Sequence, residues 1–361
     1  MKEWFEVPCP EQSIAALACS LLAVYGCSAP NPTLPQVDRW LQGGKRNRVL
    51  LLADGLGYGL LQTHLPPESF LRRHCAGTLS SVFPPTTTAA ATALESGLFP
   101  AQSGWLGWSV YWPELGDNVN LYPNTTSQGE PAAPIHLGRT FLPFQTLTAQ
   151  IGATGVEATG LEANDPEEVF PQIEDLCRQP GNHFIYAYLS RPDGLLHRHG
   201  CSAPEVTEWL RRLDGALAEA MEKWPDTQLI LTADHGFLDL EGRCLEDEPE
   251  LMDTLEGLPS VEPRALCFRV RPGKEEAFRA ALKRAVGESY DLYTRQEVLE
   301  QELFGPGPCH PRFSGMLGTH LAVARTALTL FPTRSYLQSM VAGHGGMTPQ
   351  ELTVPLILAE C

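Results

Sequence analysis

Four short, almost continuous apolar runs constrain the fold of this chain more than any other feature. They lie at residues 48–53, 183–189, 228–233 and 352–358. Runs of this length without polar alternation are typical of strands buried on both faces, as in a parallel sheet covered by helices. Helix-like segments alternate with them at 86–96, 140–152, 166–178 and 203–223. The sequence therefore predicts an α/β fold with helices on both faces of a mostly parallel central sheet.

Residues 245–335 have a different pattern and predict a smaller α+β cap insertion beside the functional site. The elements predicted there are a strand at 265–270, an amphipathic helix at 274–286 and a hairpin across 321–331. The core then comprises residues 1–244 and 336–361. Residues 101–136 are rich in Trp, Tyr, Gly, Pro and Asn and lack a regular period, so we expect a long loop that folds over the site.

The charge balance of the chain restricts its partners. There are 26 Lys and Arg residues against 43 Asp and Glu, which gives a formal net charge of −17. A field of that sign repels the backbone of a nucleic-acid duplex and the surface of an anionic membrane. A site for a phosphate or sulfate ester then needs a strong local cation, and a bound metal ion supplies one. We therefore expect neither a nucleic-acid duplex nor a membrane as a partner, and a metal ion in the site if the substrate is a small anionic ester.

Two features predict a cytoplasmic protein. Ten cysteines are spaced irregularly without a CxxC pair, which favours reduced thiols over a disulfide framework. The candidate membrane segment at 13–25 has 13 residues, whereas about 20 are needed to cross a bilayer. Its upstream flank holds Lys2 against Glu3, Glu6 and Glu11, the wrong charge for a signal peptide. We expect an amphipathic helix docked on the domain, without membrane insertion.

Candidate metal ligands adjoin all four apolar runs. Asp54 follows the first run, Asp193 and His197 follow the second, Asp234 and His235 follow the third, and His344 precedes the fourth. In open α/β sheets, ligands bind at the carboxyl ends of the strands, so we expect these side chains at one edge. Each residue alone has an ordinary structural explanation, such as a turn or a helix cap. Together they favour a divalent metal such as Zn²⁺, and Mn²⁺ suits the same residue types.

A nucleophile is expected in the segment FPPTTTAAATALESG at residues 83–97. Thr86, Thr87 and Thr88 open an Ala-rich helix, where a hydroxyl gains from the positive end of the helix dipole. Threonine is also an ordinary helix cap, so the residues alone leave all three hydroxyls open as candidates. A hydroxyl activated by a bound metal could attack phosphorus, with backbone N–H groups stabilising the phosphoryl oxygens.

Taken in order, five segments resemble the alkaline phosphatase superfamily, and within it the type I phosphodiesterase / nucleotide pyrophosphatase branch. They are LLLADGLG, VFPPTTTAAATALESG, YLSRPDGLLHRHG, LTADHGF and AGHGGMTPQELTVPLIL, and they run from about residue 48 to residue 358. The resemblance implies a three-layer α/β/α sandwich that binds two metal ions, usually zinc. It implies one ion on Asp54, Thr87, Asp234 and His235, and a second on Asp193, His197 and His344.

The resemblance also implies the nucleophile and the activity. The family pattern selects Thr87, at the fifth position counted from Phe83 and ten residues before Gly97. A shift of one residue would select Thr86 or Thr88 instead. The implied activity is that of a two-metal phosphoester hydrolase, foremost a phosphodiesterase that acts on a nucleotide-like or other small diester. The reaction would pass through a phosphothreonine intermediate.

Other activities stay open at this point. A phosphomonoesterase normally adds an Arg for the extra phosphate charge, and Arg191 and Arg198 are the basic residues near a motif. A phosphonate hydrolase and a phosphomutase are further alternatives, and a non-catalytic metal-binding regulatory protein is an alternative of another class. Relatives commonly place an Asn against a phosphoryl oxygen, and Asn118, Asn120 and Asn124 are equal candidates here.

Overall fold

The computed structural model describes residues 4–361. Its strands are, in chain order, β1 (Asn47–Ala53), β2 (Cys75–Ser80), β3 (Ser109–Trp112), β4 (Asp117–Asn120), β5 (Thr125–Thr126), β6 (Glu157–Ala163), β7 (His183–Leu189), β8 (Thr227–Thr232), β9 (Leu238–Asp239), β10 (Glu241–Cys244), β11 (Ser260–Glu262), β12 (Ala265–Phe268), β13 (Tyr290–Thr294), β14 (His320–Ala324), β15 (Leu328–Phe331), β16 (Ala342–Gly343) and β17 (Thr353–Glu360). Its α-helices are α1 (Ile14–Val24), α2 (Pro35–Leu41), α3 (Tyr58–His64), α4 (Phe70–Arg73), α5 (Thr87–Ser96), α6 (Pro100–Ser103), α7 (Leu137–Phe141), α8 (Leu147–Gly152), α9 (Pro166–Arg178), α10 (Asp193–His199), α11 (Pro204–Lys223), α12 (Pro249–Met252), α13 (Glu275–Val286), α14 (Arg295–Glu300), α15 (Phe313–Met316), α16 (Arg334–Ser339) and α17 (Pro349–Leu352).

The central sheet has six strands in the order β2-β17-β8-β1-β7-β6. Strand β1 runs parallel to both of its neighbours, β7 and β8, and β6 runs parallel to β7. Strand β17 is antiparallel to its neighbours β2 and β8. The four apolar runs are therefore β1, β7, β8 and β17, and every residue of β8 is buried. The predicted α/β fold with a mostly parallel sheet is confirmed.

The register of the sheet brings the ends of three strands to one level. Ala53 pairs with Leu189 across β1 and β7, and Leu52 pairs with Thr232 across β1 and β8. Just past the pairing, the backbone N–H of Asp54 donates to the carbonyl of Leu189 at 2.9 Å. The residues that follow these strands therefore emerge side by side at the carboxyl edge of the sheet.

Helices cover both faces of this sheet. Helix α1 packs on α2, α5 and α8, whereas α11 packs on α3, α4, α9 and α10. The docked helix predicted at 13–25 is α1, but its predicted amphipathic character is wrong. Nine of the 11 residues of α1 are buried, because other helices pack around it. Within residues 4–361, no helix combines the length and the apolar character needed to cross a bilayer.

The helix predicted at 140–152 is wrong in its extent. Helix α7 ends at Phe141, and Pro143 disfavours a helical backbone in the residue before it, so the chain leaves the helix there. Helix α8 begins anew with Thr146 as its cap, whose hydroxyl accepts from the N–H of Ala149 at 3.2 Å. The helices predicted at 166–178 and 203–223 correspond to α9 and α11.

A second sheet of seven strands lies beside the core in the order β13-β14-β12-β11-β3-β4-β5, with antiparallel pairing throughout. Strands β3, β4 and β5 come from the segment predicted as a long loop, so that prediction is wrong. The pair Val261 and Ser109 joins them to the predicted cap. The predicted hairpin at 321–331 is also wrong, because β14 pairs with β12 and β13 while β15 pairs in parallel with β10. The cap boundaries stay a prediction.

Candidate active site

The first group of predicted ligands lies at the ends of β1 and β8. Asp54, Asp234 and His235 are all buried, and one ligand atom of each lies within 4.8 Å of the others. The Nε2 atom of His235 is 3.4 Å from Asp54 Oδ1 and 3.4 Å from Asp234 Oδ2. Backbone N–H groups of Gly55 and His235 each donate to Asp234 Oδ1 at 3.1 Å. These hydrogen bonds fix the orientation of the Asp234 carboxylate, and its Oδ2 atom then faces Nε2 of His235.

The second group comes from α10 and from the loop between β16 and α17. Asp193 and His197 are one turn apart on α10, and their Oδ1 and Nε2 atoms are 3.2 Å apart. The Nε2 atom of His344 lies 3.7 Å from the same carboxylate oxygen. The rings of His344 and His235 stack with centroids 3.7 Å apart and planes at 18°. The structure therefore brings all six predicted Asp and His ligands into two adjacent groups.

The outer nitrogens of these imidazoles are held by backbone carbonyls. Nδ1 of His197 is 2.9 Å from the carbonyl of Ala342, and Nδ1 of His344 is 3.1 Å from the carbonyl of Pro85. An imidazole nitrogen beside a carbonyl must be the N–H donor, which leaves Nε2 with a free lone pair. Nε2 of His197 and Oδ1 of Asp193, which are 3.2 Å apart, then present two lone pairs that one bound cation can accept.

Two further observations fit a pair of divalent cations. Oδ1 of Asp193 and Oδ2 of Asp234 are buried and accept no hydrogen bond from any residue in 4–361. Burial, and then the charges of Asp234 and Asp193, raise the pKa of Asp54 well above its usual range. Burial and the neighbouring imidazoles hold the pKa of His344 well below its usual range. Three carboxylates and three imidazoles at this spacing are thus the donor set of a two-metal site.

Thr87 lies at the N-terminus of α5, beside the first ligand group. Its hydroxyl is 3.1 Å from His235 Nε2 and 3.4 Å from Asp54 Oδ1. The other two candidate threonines are oriented differently. The hydroxyl of Thr86 donates to Glu262 Oε1 at 2.8 Å. The hydroxyl of Thr88 is buried and has no hydrogen-bond partner among the described residues. Of the three hydroxyls, the structure places that of Thr87 beside the ligands.

Sequence reasoning missed two side chains that support the ligand groups. The hydroxyl of Tyr188 donates a short hydrogen bond to Asp54 Oδ2. The ring of Phe237 packs against His197, His235 and His344, with centroids 4.8, 5.5 and 5.0 Å away. Tyr188 lies within an apolar strand and Phe237 follows the motif Asp-His-Gly, so neither stands out from an ordinary core residue in the sequence.

Two cavities meet at Thr87. The small cavity has a volume of about 320 Å³ and is lined by Thr86, Thr87, Trp108, Glu262, Phe331 and Tyr336, together with the second ligand group. The large cavity has a volume of about 810 Å³ and is lined by Thr87, Glu95, Trp105, Tyr122, Tyr186 and Tyr188, among others. The nucleophile candidate is thus the point that both cavities share.

Glu262 is a further residue that sequence reasoning missed. Its side chain is 6% exposed and lines the small cavity. Oε1 accepts from the hydroxyl of Thr86 and from the backbone N–H of Trp108, each at 2.8 Å. Burial raises the pKa of the Glu262 carboxyl to about 7 against these two hydrogen bonds, which lower it. The sequence gives no signal for it, because no motif surrounds this residue.

The asparagines and arginines suggested by the sequence have other partners. The side-chain amides of Asn118, Asn120 and Asn124 donate to Leu258, to Thr125 and to Ile135 at 3.1, 3.2 and 2.9 Å. The guanidinium of Arg191 bonds Asp165 at 2.7 Å, and that of Arg198 bonds the carbonyl of Gly194 at 2.9 Å. None of these five side chains lines either cavity.

Solved structures with the same fold include two ectonucleotide pyrophosphatase / phosphodiesterases and a phosphonate hydrolase. The human ectonucleotide pyrophosphatase / phosphodiesterase 5 has a TM-score of 0.68 at 15% identity, over 88% of each chain. An inactive variant of the murine protein, in complex with AMP, has a TM-score of 0.66 at 14% identity, over 86% of this chain and 87% of its own. Phosphonoacetate hydrolase from Sinorhizobium meliloti 1021, in complex with phosphonoformate, has a TM-score of 0.67 at 17% identity, over 88% and 90%.

The family comparison covers most of the site. No curated protein matches this chain. The sequence model of the type I phosphodiesterase / nucleotide pyrophosphatase family matches residues 48–315, which include Asp54, Thr87, Asp193 and Asp234. The chain therefore belongs to the type I phosphodiesterase / nucleotide pyrophosphatase family, in the alkaline phosphatase superfamily, and is a metal-dependent phosphoric ester hydrolase.

Proposed function

We propose that this protein is a two-metal phosphodiesterase that acts on small, nucleotide-like diesters through Thr87. The observation that carries the proposal is that Thr87 lines both the small and the large cavity. A phosphodiester has one substituent on each side of phosphorus, so a phosphorus atom at Thr87 would direct one substituent into each cavity. A monoester would leave one of the two cavities without an occupant.

The charges around Thr87 favour a diester over a monoester. Among the described residues, the one Lys or Arg that lines the small cavity is Arg264, which binds Glu351 through two hydrogen bonds of 2.6 and 2.9 Å. Arg139 lines the large cavity, but Glu95 and Glu162 line it too. The small cavity therefore offers no unpaired guanidinium for the second negative charge of a phosphate monoester, and the two carboxylates in the large cavity oppose the single positive charge of Arg139.

The large cavity suits an aromatic substituent such as a nucleobase. Its walls include Trp105, Tyr122, Phe144, Tyr186 and Tyr188, whose flat faces can stack on a ring. The AMP complex of the murine relative shows that a protein of this fold binds a nucleotide. That the inactive murine variant has a threonine-to-alanine substitution supports a threonine nucleophile here.

The reaction that we propose has two steps at Thr87. First, Oγ1 of Thr87 loses its proton to solvent and attacks phosphorus in line, the bond from phosphorus to the leaving oxygen breaks, and the leaving oxygen takes up a proton from solvent to depart as an alcohol. Second, water attacks the phosphothreonine, and the monoester leaves as the Thr87 hydroxyl forms again. Asp54, Asp234 and His235 would hold one divalent ion, and the second ligand group would hold another. When bound, such ions supply Lewis-acid activation and neutralise charge on the phosphoryl and leaving oxygens.

Zinc is the metal that we propose for both groups, because Asp and His together suit it, and manganese is the alternative. The proposed location is the cytoplasm. All ten cysteines are free thiols, which supports a reducing compartment.

Replacing the nucleophile tests the proposed reaction. We expect Thr87→Ala to lower the turnover of bis-(p-nitrophenyl) phosphate at least about a thousandfold while both metal ions stay bound. Thr88→Val is the matched control, because the buried Thr88 hydroxyl has no hydrogen-bond partner in residues 4–361, and this variant should keep its activity. Metal content is measured on the same samples by elemental analysis. Normal turnover in Thr87→Ala would exclude Thr87 as the nucleophile.

A further inference from the structure

A third cavity adjoins the small cavity without reaching Thr87. This outer chamber has a volume of about 400 Å³, and its lining residues come mainly from β3, β4, β11 and α16 and from the segments beside them. Its boundary with the small cavity is formed by the four residues that line both, Trp108, Glu262, Pro263 and Tyr336. A long substituent that enters the small cavity from Thr87 therefore extends into the outer chamber.

The lining of the outer chamber is polar but almost uncharged. Among the 17 described residues that line it, eight are Ser, Thr or Asn, and none is Lys, Arg, His or Asp. Its one carboxylate, Glu262, stands on the boundary. There Oε1 of Glu262 accepts from Thr86 and Trp108, each at 2.8 Å, and the charge of His197 acts on it from the small cavity. Such a chamber lacks a cation for a second phosphate, whereas hydroxyls and amides suit a neutral polar ligand.

Polar atoms of this lining are available to a ligand. The half-buried Ser109 makes no side-chain hydrogen bond to any residue in 4–361. The side-chain amide of Asn120 donates to Thr125 at 3.2 Å, which leaves Oδ1 as an acceptor. The hydroxyls of Thr333 and Ser335 lie 3.1 Å apart, and each can still make a further hydrogen bond. This mixture of donors and acceptors matches a ligand that bears several neighbouring hydroxyls.

One wall of the chamber is held in place by the protein itself. Val261 has a φ of +79°, which a β-branched residue rarely adopts because its side chain then crowds the backbone. Val261 is nevertheless only 1% exposed, so the surrounding packing enforces this conformation. The side-chain amide of Asn118 donates to the carbonyls of Leu258 and Pro259, each at 3.1 Å. A wall fixed in this way costs little ordering free energy when a ligand binds.

Two aromatic side chains on the boundary offer an apolar surface to the same ligand. Trp108 has 40% of its surface exposed, and Tyr336 is half-buried. A sugar ring has an apolar C–H face that packs on an aromatic ring, and hydroxyls that bond the polar groups around it. An acyl chain would instead bury the Ser, Thr and Asn side chains without hydrogen bonds, which is costly.

We infer that the outer chamber binds a neutral sugar ring, which is carried by the alcohol of the phosphodiester that occupies the small cavity. The hydroxyls of the sugar bond Ser109, Asn120 and Ser335. Its C–H face packs on Trp108. The substrate class is thus a diester of phosphate with a glycosylated alcohol. The inference rests on the proposed function, since it extends one of the two substituents of a diester.

A matched pair of esters tests the role of the sugar hydroxyls. The probes are 2-(xylopyranosyloxy)ethyl p-nitrophenyl phosphate and 2-(tetrahydropyran-2-yloxy)ethyl p-nitrophenyl phosphate, which differ only in three ring hydroxyls. Binding to the full-length, zinc-loaded Thr87→Ala variant is measured by calorimetry, so that the readout does not depend on turnover. We expect the xylosyl ester to bind at least about tenfold more tightly, because its hydroxyls replace water on the chamber wall.

Variants in the same background assign the preference to the outer chamber. Ser335→Trp fills the chamber from an exposed position on α16 and should abolish most of the preference. Ser109→Ala removes one hydroxyl from the wall, should reduce the preference, and serves as a second variant should Ser335→Trp fail to fold. Gln338→Trp is the matched control. Gln338 is also exposed on α16 but lines none of the three cavities, so the ratio of the two dissociation constants should not change.

The outcomes separate this inference from the proposed function. Equal binding of the two esters, tighter binding of the tetrahydropyranyl ester, or a preference that persists in both Ser335→Trp and Ser109→Ala overturns the sugar site. The phosphodiesterase stands in that case if the wild-type protein hydrolyses both esters. If the wild-type protein binds the xylosyl ester preferentially but hydrolyses neither ester, the proposed function fails and the binding site stands.

Discussion

Residues that touch the ligands, without being ligands themselves, set the geometry of the candidate site. The carbonyls of Ala342 and Pro85 orient His197 and His344, and the Tyr188 hydroxyl orients Asp54. Such outer contacts fix the tautomer of an imidazole and the rotation of a carboxylate, so they tune metal affinity. Of these three contacts, the hydrogen bond from Tyr188 comes from a side chain, so a conservative substitution can remove it without a change in the backbone.

Tyr188→Phe should weaken metal binding by about 10- to 100-fold, because Asp54 loses the hydrogen bond that holds its Oδ2. The dissociation constants are measured by competition with a chromogenic chelator. Tyr186→Phe on the same strand is the control, since its hydroxyl bonds none of the ligand residues. Unchanged affinity in Tyr188→Phe would show that the hydrogen bond does not support the ligand group.

The sequence predicted that these candidate ligands lie together because they follow a simple rule of sheet geometry. Asp54 comes directly after the buried strand β1, and Asp234 comes two residues after the end of β8. His344 precedes β17, the last strand of the sheet. The register of β1, β7 and β8 then brings them together. Glu262 could not be found in this way, because its position depends on the left-handed backbone of Val261, and no local pattern signals that conformation.

At the scale of elements, two glycines allow the loops after β1 and β8 to cross. A Cβ atom on Gly236 would lie 2.0 Å from the carbonyl oxygen of Gln350, and one on Gly57 would lie 2.6 Å from the Cα atom of Gly236. Both distances are far below van der Waals contact, and the neighbouring atoms are backbone. The loop after β8 also carries Asp234 and His235, so this crossing positions two of the three residues of the first ligand group.

Gly236→Ala should therefore destabilise the protein by about 2 kcal/mol or more, because backbone has to move to admit the methyl group. The free energy of unfolding is measured by urea denaturation, with metal affinity as a second readout. Gly215→Ala is the matched control. Gly215 lies in α11 with nothing within 4 Å of its added Cβ, so that variant should gain roughly 0.5–1 kcal/mol. Equal stability of the two variants would mean that the loops do not need this close approach.

The elements that the sequence predicted correctly are those with a strong internal pattern. Strand β8 is buried throughout, and α11 buries one face over 20 residues. Strands β3 and β4 have four residues each and β5 has two, which is too short for a period to emerge. Their pairing comes from tertiary contacts with β11, so the segment resembles a loop in the sequence.

At the scale of the whole molecule, the site concentrates negative charge in a protein that is already acidic. The net charge is −17, and Asp54, Asp193 and Asp234 lie in adjacent groups. Burial and the two neighbouring carboxylates raise the pKa of Asp54 well above its usual range. Because the pKa of Asp54 is higher in the folded state than in the unfolded state, ionisation of this carboxyl lowers the free energy of unfolding. The loss grows as the pH rises from the unfolded-state pKa to the folded-state pKa. Bound cations would remove this cost.

Removal of metal with a chelator should therefore lower the melting temperature, and more at about pH 8 than at about pH 6. The metal-free protein loses stability as Asp54 ionises, whereas the metal-bound protein gains affinity as its ligands lose protons. Differential scanning calorimetry with and without chelator at both pH values measures the two shifts. A larger loss at the lower pH contradicts the assignment of these carboxylates to a metal site.

Phosphodiesterase activity is measured most directly as the rate of bis-(p-nitrophenyl) phosphate hydrolysis relative to that of p-nitrophenyl phosphate, with zinc or manganese supplied. Two cavities at Thr87 and the absence of an unpaired Lys or Arg in the small cavity, as far as residues 4–361 show it, favour the diester. We expect the diester to react at least about tenfold faster, which is about 1.4 kcal/mol of transition-state stabilisation. A faster monoester would contradict the account and assign the protein to the phosphomonoesterases.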